Sequence, residues 1–324
     1  MERKELTGVD AEQLTEFVVQ SRAEATMKQY SVALKRVWLY GQKTERTVFR
    51  WGEGEVCAFL MDLSALGGSE NLMKQSLAVI AMVFEAMGRP SPTKSLLVGQ
   101  VKKASVKRRV VKKIKPRAVM KLQDLVIMVE NLYKVPSTRV KAVDRRCLVM
   151  QLFLFLGMKR FSDIRLVKVK DVVFKRNGSV EVSVGKTKTD QAGRGSKFVM
   201  VGSKKRRVFA ADILRWYIES LSLGSEDFVF PSLRGDSYGG VKARGEAVAY
   251  GEALADLRKV CKRLGLPQLT LHSARIGAAT EGAKAGVSRE FLKACGGWSS
   301  GAVDGYVRLQ EPGLVFNEAI FRKV

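Results

Sequence analysis

The sequence predicts a mainly α-helical protein with a small antiparallel β-sheet, of the α+β class. Three observations predict it: apolar residues recur at helical spacing before residue 100 and after residue 120, one short region alternates with period two, and that region contains an Asn-Gly pair. At about 150 residues per domain, the 324 residues predict two domains. We therefore expect a helical first domain and a mixed second one.

Helical periodicity extends from Asp10 to Gly88 in the first part of the chain. One apolar stripe, preceded by a predicted N-cap at Thr26, contains Tyr30, Leu34, Val37 and Trp38. A second stripe contains Leu72, Ser76, Leu77, Ile80, Val83, Phe84 and Met87. Gly88, Pro90 and Pro92 follow and end the second helix, because these residues interrupt helical hydrogen bonding. The pattern predicts a small all-helical domain.

A strongly basic stretch follows this domain. From Val101 to Arg117 there is no acidic residue, and the basic residues are Lys102, Lys103, Lys107, Arg108, Arg109, Lys112, Lys113, Lys115 and Arg117. The stretch is either a solvated linker or nuclear-localisation-like segment, or a segment that follows the DNA backbone and contacts its phosphates. The two roles are compatible. We place a helical domain at 1–104, a basic linker at 105–117 and a second domain at 118–324.

The second domain begins with two predicted helices, Leu122 to Tyr133 and Thr138 to Met158. The period then becomes alternating, and Asn177-Gly178 predicts a hairpin between the segments VKDVVF and VEVSV. A third short strand is predicted at Lys197 to Gly202. After Ala210 we expect only helices and turns.

Net charge indicates the kind of partner. The chain has 57 Lys+Arg and 32 Asp+Glu, hence a formal charge of +25. A protein with this positive charge is expected to bind a polyanion. We favour double-stranded DNA over an anionic membrane surface, because no membrane anchor is visible in the sequence. The longest uncharged apolar run, Cys147 to Met158, is too short to span a bilayer, and the N-terminus has no secretory apolar region. We expect an intracellular, DNA-associated protein: nuclear in a eukaryote, otherwise in the cytoplasm or nucleoid.

Several classes of site are excluded by composition. The four cysteines are far apart in sequence, which fits neither a disulfide-rich secreted scaffold nor a paired-cysteine zinc site. A single histidine excludes any site built on two, and no GxxxxGK[ST] motif is present. We expect no metal and no cofactor.

The only histidine belongs to a short motif, Leu271-His272-Ser273-Ala274-Arg275. Spacing of three residues places His272 and Arg275 on one face of a helix, where both can address one anion. Taken alone, this spacing is more typical of a core or capping histidine than of an anion-binding site. Four further segments occur in the chain: Arg160-Phe161-Ser162-Asp163, Gly185-Lys186-Thr187-Lys188-Thr189, Gly296-Gly297-Trp298 and Tyr306-Val307-Arg308.

In this order, these residues resemble the signature of the tyrosine recombinase (phage integrase) family. The segment HSARIGAATEGAKAGVSREFLKACGGW is most similar to a Cre-like catalytic domain, including Trp298 where many relatives have histidine. The resemblance covers 118–324 by motif order, and the N-terminal helices resemble the core-binding domain by pattern alone. It implies a DNA clamp of two domains and a site-specific recombinase that exchanges strands through a 3′-phosphotyrosyl intermediate and a Holliday junction.

Phosphodiester cleavage explains the residue types of this signature. Cleavage needs an in-line nucleophile, cationic groups that stabilise the negative charge on the two non-bridging oxygens, and a proton for the leaving 5′-oxygen. The resemblance implies a catalytic set of Arg160, Lys188, His272, Arg275, Trp298 and Tyr306, in which Tyr306 is the nucleophile. We expect Asp163 to orient the site rather than to transfer a proton. Lys186 is the alternative to Lys188 as general acid. The Trp298–Tyr306 interval is one residue shorter than the family usually shows.

We expect DNA contacts from Lys102, Lys103, Lys107, Arg108, Arg109, Lys112, Lys113, Lys186 and Arg194, with Lys204 to Arg207 as a further basic cluster. An apolar set in Glu311 to Val324 predicts a terminal helix, which either packs on its own core or, as the resemblance implies, docks into a neighbour within a homotetramer. Two alternatives stay open: an inactive transposon-derived DNA-binding protein, and a type IB topoisomerase or telomere resolvase.

Overall fold

The computed structural model describes residues 24–108, 118–135, 141–185, 195–203, 208–235, 241–298 and 301–307. The chain divides into two compact units, Met1–Lys115 and Pro116–Val324. The first is helical where it is described, and the second combines helices with two small antiparallel sheets. The predicted fold class is therefore confirmed. Among the described helices, none is long and apolar enough to cross a membrane.

The described part of the first unit contains four helices: α1 (Glu24–Lys43), α2 (Glu53–Ala65), α3 (Glu70–Ala86) and α4 (Leu96–Arg108). Ser69 caps α3, because its side chain accepts a hydrogen bond from the Leu72 amide. Trp51, Phe59 and Phe84 are at the centre of the core between the helices. Helix α4 continues four residues beyond the boundary that we placed at residue 104.

Two expectations about the first helix are wrong. Thr26 lies inside α1 rather than at an N-cap. Leu34 and Trp38 are 41% and 46% exposed, whereas Ala33 and Val37 are buried. Adjacent helical positions differ by about 100° around the axis. The buried face of α1 is therefore centred on Ala33 and Val37, about 100° away from the predicted positions Leu34 and Trp38.

The second unit is organised around one buried helix. Its helices are α5 (Leu122–Leu132), α6 (Ala142–Leu156), α7 (Phe161–Ile164), α8 (Ala210–Ser220), α9 (Tyr250–Arg263), α10 (Ser273–Lys284) and α11 (Arg289–Gly296), with a 3₁₀ turn at Gly301–Gly305. Helix α6 contains most of the uncharged apolar run and packs against α5, α8, α9 and α10. The run is thus the interior of the unit, as the sequence predicts.

The predicted three-stranded sheet is present as β1 (Val172–Phe174), β2 (Val180–Val184) and β3 (Ser196–Met200), in that order and antiparallel. Gly178 has a positive φ of 79° in the turn, and the Asn177 side chain accepts a hydrogen bond from the Ser179 amide at 3.0 Å. The Asn-Gly pair therefore forms the hairpin turn that it predicts.

The expectation of only helices and turns after Ala210 is wrong. Two strands, β4 (Pro231–Gly235) and β5 (Val241–Ala247), pair antiparallel with a register shift between Pro231 and Leu233. A proline at the first position conceals β4, and in β5 the positions that alternate with charged residues are occupied by Val241, Ala243, Gly245 and Ala247, of which only valine favours a strand.

Candidate active site

Arg275, in the first turn of α10, is fully buried. Its Nη1 donates to the Met158 carbonyl at 2.6 Å and its Nη2 to the Gly296 carbonyl at 2.9 Å. The Nε–H is buried and has no hydrogen-bond partner among the described residues. No carboxylate in that part of the chain forms an ion pair with Arg275. A buried cation with an unused donor is prepared to receive an anion.

The turn that receives Arg275 has an unusual backbone. Met158 has a φ of +50°, a conformation that non-glycine residues rarely adopt. Its carbonyl is one of the two that bind Arg275. Strain of this kind persists where the surrounding contacts determine the conformation, and here it directly precedes Lys159 and Arg160.

Asp163 organises the Arg160 turn. The Asp163 carboxylate accepts the Arg160 amide at 3.1 Å and the Ser162 hydroxyl at 3.2 Å. It also lies 3.7 Å from the Arg160 guanidinium, an ion pair that is buried on the aspartate side. The arrangement fixes the start of α7 and leaves the Arg160 guanidinium partly exposed.

Trp298 follows the end of α11 and is 6% exposed. Gly297, the C-cap, has a φ of +64°, and a Cβ on Gly296 would lie 2.0 Å from the indole ring. These two glycines allow the ring to fold back over the helix end. The Arg275 Cζ lies 4.1 Å from the ring centroid, and the indole N–H has no partner among the described residues.

Tyr306 completes an aromatic cluster around Arg275. Its ring centroid is 4.7 Å from that of Trp298, 5.1 Å from that of His272, and 5.2 Å from the Arg275 Cζ. His272 is half-buried at the N-cap of α10, so it shares the helix start with Arg275. The HxxR spacing therefore places both side chains at one site.

Two contacts hold the segment that carries Tyr306. The Tyr306 carbonyl accepts the Thr280 hydroxyl of α10 at 3.3 Å. Arg289 of α11 forms a bidentate ion pair with Asp304, at 2.7 and 2.6 Å. Val303, between them, is fully buried. The tyrosine is thus attached to α10, α11 and the core.

The site holds three neighbouring cations, Arg160, Arg275 and Lys159, and of these only Arg160 forms an ion pair among the described residues, with Asp163. Burial, and then the charge of Arg160, lower the pKa of Arg275 to about 10, while Tyr306 and Asp163 act in the opposite direction. Burial, and then Arg275, also lower the pKa of Lys159. Arg275 nevertheless stays charged at neutral pH. Among the described residues there is no cluster of His, Cys, Asp and Glu that could hold a metal.

An open cleft of 340 Å³ gives access to the site. It is lined by Arg160, Phe161, Ser162, Tyr250, Leu271 and His272. Phe161 and Tyr250 meet edge to face there, with ring centroids 5.5 Å apart. A phosphate with its attached sugar can therefore approach Arg160 and His272 from solvent.

Five of the predicted catalytic residues are at this site: Arg160, His272, Arg275, Trp298 and Tyr306, with Asp163 behind them. Lys188, Lys186, Arg194, Arg109, Lys112, Lys113, the cluster 204–207 and the predicted terminal helix 311–324 lie outside the described residues. Lys103, Lys107 and Arg108 are exposed on α4, and Lys102 is half-buried there.

Lys159, directly before Arg160, was not among the predicted site residues. The structure buries it, and its Nζ donates to the Cys295 carbonyl at 3.3 Å. Its position was a usable signal, because it directly ends the apolar run that predicts the buried helix.

Known protein families and solved structures show what the chain is similar to. The profile of the Phage integrase family matches residues 126–311. The structure is similar to XerH site-specific recombinase bound to palindromic difH substrate (TM-score 0.63, 15% identity, 91% of this chain and 79% of that chain). It is also similar to the Tn1549 transposon integrase in complex with transposon right end DNA (TM-score 0.62, 13% identity, 96% and 98%).

A third similar structure is a lambda integrase tetramer bound to a Holliday junction (TM-score 0.60, 15% identity, 91% and 77%). A search of curated protein sequences found no match. At these identities the structural likeness concerns the fold. The family match, however, covers more than half of the chain and includes Arg160, the HxxR motif and Tyr306, so the chain belongs to the phage integrase family.

Proposed function

We propose that this chain is a site-specific DNA recombinase that cleaves and rejoins DNA strands through a 3′-phosphotyrosyl intermediate. The observation that carries the proposal is the anion site around Arg275, a buried guanidinium with no carboxylate partner among the described residues and with a tyrosine ring beside it. A tyrosine beside an arginine site of this kind suits attack on a phosphodiester.

In the proposed reaction the Tyr306 oxygen attacks the scissile phosphorus, a bond forms between them, and the bond to the 5′-oxygen breaks. Arg160 and Arg275 bind the two non-bridging oxygens, since guanidinium groups bind phosphate in a bidentate way. The unpartnered donors on Arg275 and Trp298 support this assignment, because each gains a hydrogen-bond acceptor when phosphate enters. His272, whose ring faces Tyr306, is assigned to a phosphate oxygen or to the tyrosine proton.

The leaving 5′-oxygen needs a proton, and we assign it to Lys188, with Lys186 as the alternative. A neighbouring cation cluster lowers the pKa of a lysine, which suits it to donate a proton. Rejoining reverses the step: the 5′-hydroxyl attacks the phosphorus and returns its proton to the lysine, the bond between the phosphorus and the Tyr306 oxygen breaks, and that oxygen recovers the proton it gave up during cleavage. Asp163 is the group that orients Arg160.

DNA contact by the proposed enzyme is electrostatic in large part. The net charge of +25 and the basic face of α4, with Lys103, Lys107 and Arg108 exposed, support phosphate contacts along the duplex. Arg109, Lys112, Lys113 and Arg194 belong to the same proposal. We further propose that four subunits exchange strands through a Holliday junction, with the 311–324 segment docking into a neighbour.

The test is a denaturant-resistant protein–DNA adduct, assayed in EDTA on supercoiled DNA that carries the flanks of the gene. We expect an adduct from the wild type and none from Tyr306→Phe or Arg275→Ala. Tyr133→Phe is the matched control, because Tyr133 packs against Trp216 away from this cluster and should behave as wild type.

The outcomes separate this proposal from its rivals. Tight DNA binding without adduct on any substrate containing the target site would favour a DNA-binding protein that keeps the fold without catalysis. An adduct that leads only to relaxed DNA or hairpin ends would favour a topoisomerase or telomere resolvase. Recombinant products and a junction intermediate support the recombinase.

A further inference from the structure

Lys159 has an environment that is unusual for a lysine. The residue is 8% exposed, although lysines are seldom buried without a charged partner. No carboxylate forms an ion pair with it in the part of the chain that the structure describes, and its Nζ lies 5.5 Å from the centroid of the Phe198 ring. Its hydrogen bond at 3.3 Å is to the backbone carbonyl of Cys295. A solvated surface charge is therefore excluded.

That carbonyl belongs to the last turn of α11. The final carbonyls of a helix lack partners within it and form the negative end of the helix dipole, so cations stabilise them. Lys159 binds the Cys295 carbonyl, and Arg275 binds the next one, at Gly296. The two cations of the site thus share the end of a single helix.

The contacts also connect two backbone segments in both directions. Arg275 binds the Met158 carbonyl and the Gly296 carbonyl, while Lys159 reaches from the segment next to Met158 to Cys295. The turn that ends in Arg160 is therefore attached to the end of α11 by two side chains. One attachment uses Arg275, which the phosphate also needs, and the other uses Lys159 alone.

The position of Trp298 depends on this helix end. Gly296 and Gly297 are the only residues between Cys295 and Trp298, and the Trp298 ring lies over the Arg275 guanidinium and contacts the Tyr306 ring at an angle of 58°. Movement of the α11 end would therefore move the indole and loosen the ring of the proposed nucleophile.

We propose that Lys159 is a positioning residue, whose ammonium fastens the end of α11 to the Arg160 turn and thereby holds Trp298 and Tyr306 against Arg275. It acts through Trp298 and needs no contact with DNA. The catalytic consequence rests on the recombinase proposal, whereas the effect on Trp298 does not.

The first experiment measures Trp298 directly in the protein without DNA. Acrylamide quenching of tryptophan fluorescence is compared in wild type, Lys159→Met, Lys159→Arg and Lys170→Met, each with and without Trp298→Phe so that the difference reports Trp298. Lys170 is the matched control, because it is exposed and paired with Glu226. We expect Trp298 to be more accessible in Lys159→Met, and as protected as in wild type in the other two.

The second experiment measures the single-turnover rate of adduct formation on saturating DNA. We expect Lys159→Met to slow this rate by about tenfold to a hundredfold, since small misplacement of reacting groups has effects of that size, without weakening DNA binding. Lys159→Arg, which keeps a donor for the Cys295 carbonyl, should recover most of the rate. Unchanged Trp298 quenching in folded Lys159→Met would overturn the proposal.

A pH titration covers the case in which Lys159→Met does not fold. The titratable groups that act on the Lys159 ammonium are Arg275, Asp163, Cys295 and Arg160. Arg275, whose pKa is lowered to about 10, contacts the Trp298 ring in both wild type and Lys159→Arg, so the Lys159 signal is the difference between the two titrations. Because burial disfavours the charged form of Lys159, we expect an additional change of the wild-type Trp298 signal below the ordinary lysine pKa of 10.5 that Lys159→Arg lacks. Identical titrations of the two proteins would contradict the proposal. If the wild type forms no adduct, the recombinase proposal fails, and the Trp298 measurements still decide the role of Lys159.

Discussion

Two fully buried arginines in the second unit have opposite surroundings. Arg146 of α6 is 1% exposed, and its Nη2 lies 2.6 Å from the Asp256 carboxylate and 2.7 Å from that of Glu252. Arg275 is as deeply buried, yet its described partners are two backbone carbonyls and two aromatic faces. One charge is neutralised within the fold and the other is not.

The difference distinguishes a cation that the fold neutralises from one that has no carboxylate partner among the described residues. Taking a guanidinium out of water is costly, and the carboxylates of α9 offset that cost at Arg146. At Arg275 the cost is offset only in part, which is consistent with its lowered pKa. An entering phosphate can supply the missing negative charge. Burial alone therefore does not mark a candidate anion-binding arginine, and the missing carboxylate partner is what makes Arg275 the candidate here.

The largest effect that we predict concerns Arg275→Lys. A lysine keeps the charge but cannot bind two carbonyls and a phosphate in a planar fork. We expect the rate of adduct formation to fall by about a hundredfold or more, the size of effect seen when one donor to a developing anion is removed. Single-turnover cleavage at saturating DNA measures it. A rate within a few-fold of wild type would show that Arg275 is structural, as Arg146 is.

Arg146→Met tests the other side of the comparison. It leaves Asp256 and Glu252 without their cation, and loss of one partner of a buried pair costs about 3–5 kcal/mol of unfolding free energy. Chemical denaturation measures this loss, and Arg146→Met/Asp256→Asn should recover part of it. We expect a smaller loss for Arg275→Met. If Arg146→Met and Arg275→Met lost equal amounts of unfolding free energy, the distinction between the two arginine sites would fail.

The sequence indicated which residues lie close together better than it indicated their surroundings. Motif order and the HxxR spacing predicted one site for Arg160, His272, Arg275, Trp298 and Tyr306, and the structure places these side chains near one another, while their catalytic roles stay predictions. Lys159 was missed because a sequence shows that a residue is charged but not that it is buried. No local pattern links residues 158 and 296 to Arg275, since both contacts are between segments far apart in the chain.

In the fold, too, locally determined features were predictable and features that depend on tertiary contacts were not. The β1–β2 hairpin was predictable because Asn177-Gly178 determines its turn locally, whereas β4 and β5 contain few residues that favour strands, so their pairing is not evident from the sequence. In α1, periodicity identified the helix, but tertiary packing determined which face is buried. Roles of Lys188 and of the terminal segment stay predictions.

Gly296→Ala tests whether aromatic faces replace carboxylates at Arg275. The new Cβ would lie 2.0 Å from the Trp298 ring, so the ring must move away from the guanidinium. We expect destabilisation of about 1–3 kcal/mol, the usual cost of overpacking, together with a shift in Trp298 fluorescence. Gly251→Ala is the matched control, because nothing lies within 4 Å of a Cβ there. Trp298 emission like that of wild type would show that the ring keeps its place beside Arg275 despite the new Cβ, contrary to this prediction.

The smallest effect concerns a third arginine, Arg289, which is exposed and does have a carboxylate partner. Its bidentate pair with Asp304 holds the segment of Tyr306, but solvent screens exposed pairs. We expect Asp304→Ala to slow adduct formation slightly and to leave the unfolding midpoint nearly unchanged. The charge-exchanged variant Arg289→Asp/Asp304→Arg should restore the rate.

The dependence on pH of this pair has a definite sign. Arg289 lowers the pKa of Asp304, so the pair is fully formed above the ordinary aspartate pKa of 3.8 and is lost as the pH falls through the lowered value. Adduct formation near neutral pH should therefore not depend on this titration, whereas added salt should reduce the difference between wild type and Asp304→Ala. A difference that is independent of salt would mean that Asp304 acts by packing rather than by charge, and Arg289 would then resemble neither buried arginine.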